Sequence, residues 1–225
     1  MNDPKLVDVE NVIKSKSKKL YVFLPGFLIR YLKRIVHQEE LNIFIKKYNN
    51  LEDVHFIEKI LNEFNITVKI KGEENIRQGQ RLLIASNHPL GGLDGIALLN
   101  HLGRINPIKA VINDILMNVA NVKSLFVPVN KHGGNPKEYV KILNDTFASE
   151  ANILYFPAGL VSRKKGKTIK DLEWKKSFIQ KAVRSKRNVV PCYVDGRNSN
   201  FFYNLANLRK FFRIKANIEM LYLAN

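Results

Sequence analysis

The chain carries a histidine and an aspartate in one glycine-rich turn, Ser86-Asn87-His88-Pro89-Leu90-Gly91-Gly92-Leu93-Asp94-Gly95. Histidine is the side chain best suited to move protons near neutral pH, and a carboxylate within reach fixes its tautomer and raises its basicity. The chemistry on offer is proton transfer. The competing reading is a turn whose His and Asp only cap the helix that follows. The turn lies between an apolar run, Arg81 to Ala85, read as a buried strand, and a second run, Ile96 to Leu102, read as a helix. A strand, a tight turn and a helix in that order display side chains at the end of a sheet.

The elements that must hold this turn follow from the patterning. Residues 1–19 read as a frayed or helical arm. Residues 20–34 are aromatic and apolar, broken by Pro25-Gly26 and flanked by lysines and arginines, which suits a membrane interface or a helix packed on its own domain. Residues 38–64 show the spacing of two short helices. Strands are expected at 66–72, 82–85, 108–112, 124–130, 153–156, 188–194 and 214–223. Pro128 marks the fourth of these as an edge strand or a strand end. Helices are expected at 96–102, 116–122, 136–149, 171–187 and 200–211. The alternation predicts an α/β fold, a mostly parallel central sheet flanked by helices. The expected division is a helical N-terminal segment, 1–64, with a composition suited to membrane contact, and an α/β domain, 65–225. The His88 turn, the loop after Phe156 and the loop after Val194 should then share one edge of the sheet.

Charge narrows the partners. Lys and Arg number 37 against 20 Asp and Glu, a net charge of +17. Such a surface seeks phosphate groups, whether in nucleic acid, anionic lipid or a phosphorylated carrier. There is no helix-turn-helix, zinc-finger or RNA-binding strand motif, so no nucleic-acid partner is expected. One cysteine, Cys192, in an apolar run, excludes an intrachain disulfide and reads as a structural thiol. His37, His55, His101 and His132 are not spaced as metal ligands, so no metal is expected. No run is long enough to span a bilayer and no cleavable leader is evident, so the expectation is a peripheral protein on the cytoplasmic face of the inner membrane.

Three further blocks follow the first turn: Leu125-Phe-Val-Pro-Val-Asn-Lys131, Phe156-Pro157-Ala158-Gly159-Leu160-Val161-Ser162-Arg163, and Val190-Pro191 with Gly196. Together with Asn87, His88 and Asp94, and in this order, they resemble the glycerolipid (lysophospholipid) acyltransferase family. Five residues stand between His88 and Asp94 where the family has four, and Ala158 stands where it has glutamate. The His-Pro-x-Gly and Phe-Pro-Ala-Gly forms are similar to its hemolysin-like subgroup, associated with acylation of lyso-aminolipids as well as lysophosphatidate.

The resemblance implies transfer of a fatty acyl group from acyl carrier protein or coenzyme A to the hydroxyl of lysophosphatidate, lyso-ornithine lipid or lyso-glycine lipid. These thioesters are co-substrates, and no cofactor is implied. His88 would be the general base and Asp94 would orient it. Asn87, Lys131, Phe156, Pro157, Gly159, Ser162 and Arg163 would line the substrate site, Arg163 meeting an anionic headgroup or carrier phosphate. Backbone N–H groups near Gly159 or Gly92 would receive the oxyanion. The alternatives are a member that has lost activity, a basic nucleic-acid-binding protein, and a serine hydrolase. The hydrolase lacks the expected Gly-x-Ser-x-Gly elbow.

Overall fold

A computed structural model of the chain describes residues 7–113, 117, 119–130, 136–214 and 217–223. Five helices come first: α1 (Val9–Lys16), α2 (Lys18–Phe23), α3 (Gly26–Ile35), α4 (Gln38–Lys47) and α5 (Asp53–Glu63). Then follow β1 (Leu82–Ser86), α6 (Gly92–Leu102), β2 (Ile108–Asn113), β3 (Phe126–Val129), α7 (Lys137–Ala148) and β4 (Asn152–Tyr155). A small hairpin, β5 (Arg163–Lys165) and β6 (Thr168–Lys170), precedes α8 (Ser177–Arg184), β7 (Asn188–Cys192) and α9 (Asn200–Phe211).

β1, β2, β3, β4 and β7 form one sheet in the order β3-β2-β4-β1-β7, with every pairing parallel. This is the expected α/β architecture. Alternating side chains of each strand serve opposite faces. Leu82 and Ile84 of β1 pack with Phe44, Ile45, Phe56, Ile57 and Leu61 of α4 and α5 and with Leu98, Leu99 and Leu102 of α6. Leu83 and Ala85 face the other way, against Phe147 of α7 and Phe178 and Ala182 of α8. Each fully buried Leu, Ile or Phe contributes about 1.5–3 kcal/mol. Both sheet edges carry a proline, Pro128 in β3 and Pro191 in β7, where a missing N–H costs no interior ladder bond.

Several expected elements differ. Where a helix is expected over 116–122, the described residues 120–125 form a 3-10 helix. Residues 66–72 form no strand; the chain there is irregular and half-exposed, because alternation alone supplies no partner for the ladder. In the expected final strand, residues 218–222 form a 3-10 helix instead. Its alternation is interrupted by Glu219, which is fully buried and ion-paired to Arg163 and Arg209. Finally, helix α8 begins at Ser177 rather than 171. Residues 171–176 make a strap whose Asp171 and Lys175 bond to other loops instead of to a helical turn.

Candidate active site

Parallel register aligns Ala85 of β1 with Tyr155 of β4, and Ser86 with Cys192 of β7. The segments leaving these three neighbouring strands therefore emerge side by side. They carry the His88 turn, the Phe156-Pro157-Ala158-Gly159 turn and the loop from Tyr193. Side chains then fasten them together. Asn87 donates its Nδ2 to the carbonyl of Val194 at 2.9 Å and accepts the Val194 N–H on Oδ1 at 2.6 Å, extending the β1–β7 ladder by one side-chain rung. Asn198, itself buried, donates Nδ2 to the Pro89 carbonyl at 2.6 Å.

Gly91 makes the turn possible. Its φ of 71° and ψ of −127° belong to a region only glycine occupies readily, and a Cβ there would stand 2.7 Å from Leu223 Cδ1. The chain then enters α6 with Asp94 in the first turn. Asp94 is fully buried, and its Oδ2 accepts the Leu90 N–H at 2.8 Å, closing the helix end as an acidic residue in the first turn can. The same oxygen lies 3.2 Å from His88 Nδ1. Capping and histidine contact are thus the work of one carboxylate. The ring is within ion-pair distance without an aligned hydrogen bond, and Nδ1 and Asp94 Oδ1 remain buried with no hydrogen-bond partner among the described residues. His χ2 is a broad torsion, so a small ring rotation suffices to align the bond.

The imidazole is 18% exposed and lies against the Phe156 ring, centroids 4.2 Å apart. Its backbone is held on both sides: the His88 N–H donates to Asp171 Oδ1 at 3.2 Å, and the His88 carbonyl accepts the Ser162 N–H at 2.9 Å. Asp171 has no place in the four sequence blocks. Its only sequence signal is a carboxylate directly after the basic hairpin, three residues before Trp174.

The other expected site residues have defined places. Pro157 is buried, and its carbonyl accepts the Lys175 N–H at 3.2 Å. Gly159, at φ 64°, donates its N–H to the Phe156 carbonyl at 2.9 Å, so that amide is committed to the turn. Ser162 is buried, and its hydroxyl donates to Asp171 Oδ1 at 2.5 Å. Arg163 is turned inward: it donates to Glu219 Oε1 at 2.9 Å and to the Val161 carbonyl at 2.8 Å, and stacks over Phe202. Burial pulls the Arg163 pKa down, opposed by the Glu219 charge. Lys131 and His132 lie outside the described residues. Burial pushes the Cys192 thiol up, which makes it a poor nucleophile. Among the described residues no group of three or more His, Cys, Asp or Glu could hold a metal ion, and no helix is long and apolar enough to cross a membrane.

A partly exposed histidine beside a buried carboxylate, at the end of a parallel sheet, can accept a proton from a bound hydroxyl. Sequence comparison points the same way. An acyltransferase family model matches residues 11–225. The chain is 46% identical over 222 residues to a lyso-glycine lipid O-acyltransferase of Phocaeicola vulgatus, covering 98% of this chain and 80% of that protein. It is 45% identical over 222 residues to a lyso-glycine lipid O-acyltransferase of Bacteroides thetaiotaomicron, covering 98% of this chain and 82% of that protein. No solved structure gives a significant match. A resemblance resting on four short blocks therefore extends over nearly the whole chain, which belongs to the acyltransferase family.

Proposed function

We propose that this acyltransferase moves a fatty acyl group from a thioester, acyl carrier protein or coenzyme A, to the hydroxyl of a lyso-glycine lipid. The acceptor reading rests on the two relatives so named. The observation that carries the mechanism is the 3.2 Å approach of His88 Nδ1 to Asp94 Oδ2. With Nδ1 turned to the carboxylate, Nε2 is the nitrogen left to take the acceptor's proton. As the hydroxyl attacks the thioester carbonyl, the imidazolium forms beside a buried negative charge that stabilises it. The tetrahedral oxyanion collapses with departure of the thiolate, to which the imidazolium returns its proton. The Gly159 amide is occupied, so the oxyanion falls to the first turn of α6 at Gly92, where the helix dipole is positive and the surface is open.

Membrane contact belongs to the same reading. Val22, Phe23 and Phe27 are 76%, 74% and 66% exposed on α2 and α3, with the exposed Arg30 and Arg34 nearby. Such a face suits an anionic bilayer surface, on the cytoplasmic side of the inner membrane where the thioesters are found. Acyl transfer should be assayed against lyso-glycine, lyso-ornithine and lysophosphatidate acceptors, each with both thioesters. Preferred product formation from lyso-glycine lipid supports the assignment; product from lysophosphatidate alone overturns the acceptor.

A further inference from the structure

Asp171 collects donors from three parts of the chain. Its Oδ1 accepts the His88 backbone N–H at 3.2 Å and the Ser162 hydroxyl at 2.5 Å; its Oδ2 accepts the Trp174 indole N–H at 2.9 Å. His88 follows β1 and Ser162 follows β4, two adjacent strands. Ser162 closes the circuit by donating its own N–H to the His88 carbonyl at 2.9 Å. Trp174 anchors the far side, packing edge-on against Phe178 with centroids 6.0 Å apart. Lys175, one residue further, donates its N–H to the Pro157 carbonyl, so the strap from 171 to 176 touches both loops of the site.

We propose that Asp171 is a positioning residue for acyl transfer, setting the backbone from which the His88 imidazole projects. This rests on His88 being the base. A carboxylate suits the place because all three neighbours are donors and an ionised aspartate only accepts. The His88 ring has two further restraints, Phe156 and Asp94, but both act on the side chain. The Ser162 and Asp171 bonds act on the peptide itself. A shift of the ring by a fraction of an ångström separates Nε2 from the acceptor hydroxyl, and misplacement on the scale of 1 Å costs about 10²-fold in rate.

The chemistry supplies a rescue. In Asp171→Asn one amide end still accepts from His88 and Ser162, but the NH₂ then faces the Trp174 N–H, donor against donor. Trp174→Phe removes that donor and keeps the apolar contact with Phe178. Turnover and the His88 ring resonances should be measured for the wild type, D171A, D171N, W174F and D171N/W174F, with H88A turnover alongside. D171A is expected to lower kcat about 10- to 100-fold with little change in the acceptor KM, and to shift or broaden the His88 resonances. D171N/W174F is expected to recover most of the turnover that D171N loses relative to W174F. Should D171A not fold, the rescue by the double variant carries the test. Unchanged His88 resonances in D171A, or absence of rescue in D171N/W174F, would overturn the proposal whatever the base is. H88A that retains full turnover would instead remove the assignment of the base, and the ring resonances would still report whether Asp171 orders His88.

Discussion

Ser162 donates its backbone N–H to the His88 carbonyl at 2.9 Å, joining the loop after β4 to the turn after β1 at the residue that carries the imidazole. The two strands are neighbours in a parallel sheet, so this bond spans a short gap between segments leaving the same edge. It explains how two motifs some seventy residues apart in sequence come to lie side by side. Polar tethers do the joining, and the apolar core beneath holds the strands in register.

Asp94 caps a helix and is proposed to orient His88, and substitution separates the two. Asp94→Asn can still accept the Leu90 N–H but lacks the charge that stabilises an imidazolium. D94N should fold with a melting temperature close to wild type and lose about 10²-fold or more in kcat. D94A should lose the cap as well, at a cost of about 1 kcal/mol in stability. Thermal melts beside steady-state kinetics on both variants check the separation. Equal turnover in D94N and wild type would dismiss the carboxylate from the mechanism.

Gly91 is predicted to tolerate no side chain. Gly91→Ala places a Cβ 2.7 Å from Leu223 Cδ1 at a φ of 71° that alanine rarely adopts. The strain should lower stability by about 1–3 kcal/mol and displace Asp94 relative to His88. Chemical denaturation reads the first effect and kcat the second. Gly92→Ala serves as the contrast for stability alone, because nothing lies within 4 Å of a Cβ there.

The buried ion pair of Arg163 with Glu219 should contribute to stability chiefly through the cost of breaking it. Glu219 is fully buried, and its two oxygens face Arg163 and Arg209 at 2.9 and 2.8 Å. Glu219→Ala leaves the partly buried Arg163 without its carboxylate and should destabilise the fold by about 3–5 kcal/mol. Arg163→Met/Glu219→Leu should cost less than E219A alone. Urea titrations of the three proteins test this, and a double variant less stable than E219A would argue against it.

Phe23 and Phe27 are predicted to seat the protein on anionic bilayers. Phe23→Ser/Phe27→Ser should weaken binding to phosphatidylglycerol-containing vesicles, measured by flotation, while the melting temperature stays near wild type. Added salt should weaken wild-type binding as well, because the basic residues beside these rings are screened. Binding unaffected by the double substitution would place the membrane contact elsewhere.

Much of the sheet was legible in the sequence because apolar runs such as Leu82–Ala85 and Ile153–Phe156 leave few other assignments. Pro128 marked an edge correctly, since an interior strand has no place for a residue without an N–H. His88 and Asp94 stood in one turn with a helix cap as the competing reading, and the resemblance carried by the three later blocks singled them out as a pair. Asp171 was not, because its role comes from His88 and Ser162 donors brought in from two other loops, and local periodicity runs straight through it into α8. The strand expected at 214–223 failed for a related reason: an alternating pattern does not reveal that Glu219 points inward to meet arginines from α9 and β5. Arg163 read as a residue that would reach an anionic ligand, and the same buried partner accounts for its inward turn. Tertiary ion pairs and side-chain-to-backbone bonds leave little trace in a single sequence.

His88 is expected to remove the acceptor's proton. The most direct measurement is single-turnover acyl transfer to lyso-glycine lipid by purified His88→Ala, with circular dichroism establishing that its fold matches wild type. The expected result is a rate lower by about 10²- to 10⁴-fold with acceptor binding largely retained. A folded H88A protein that transfers acyl groups at the wild-type rate would contradict it.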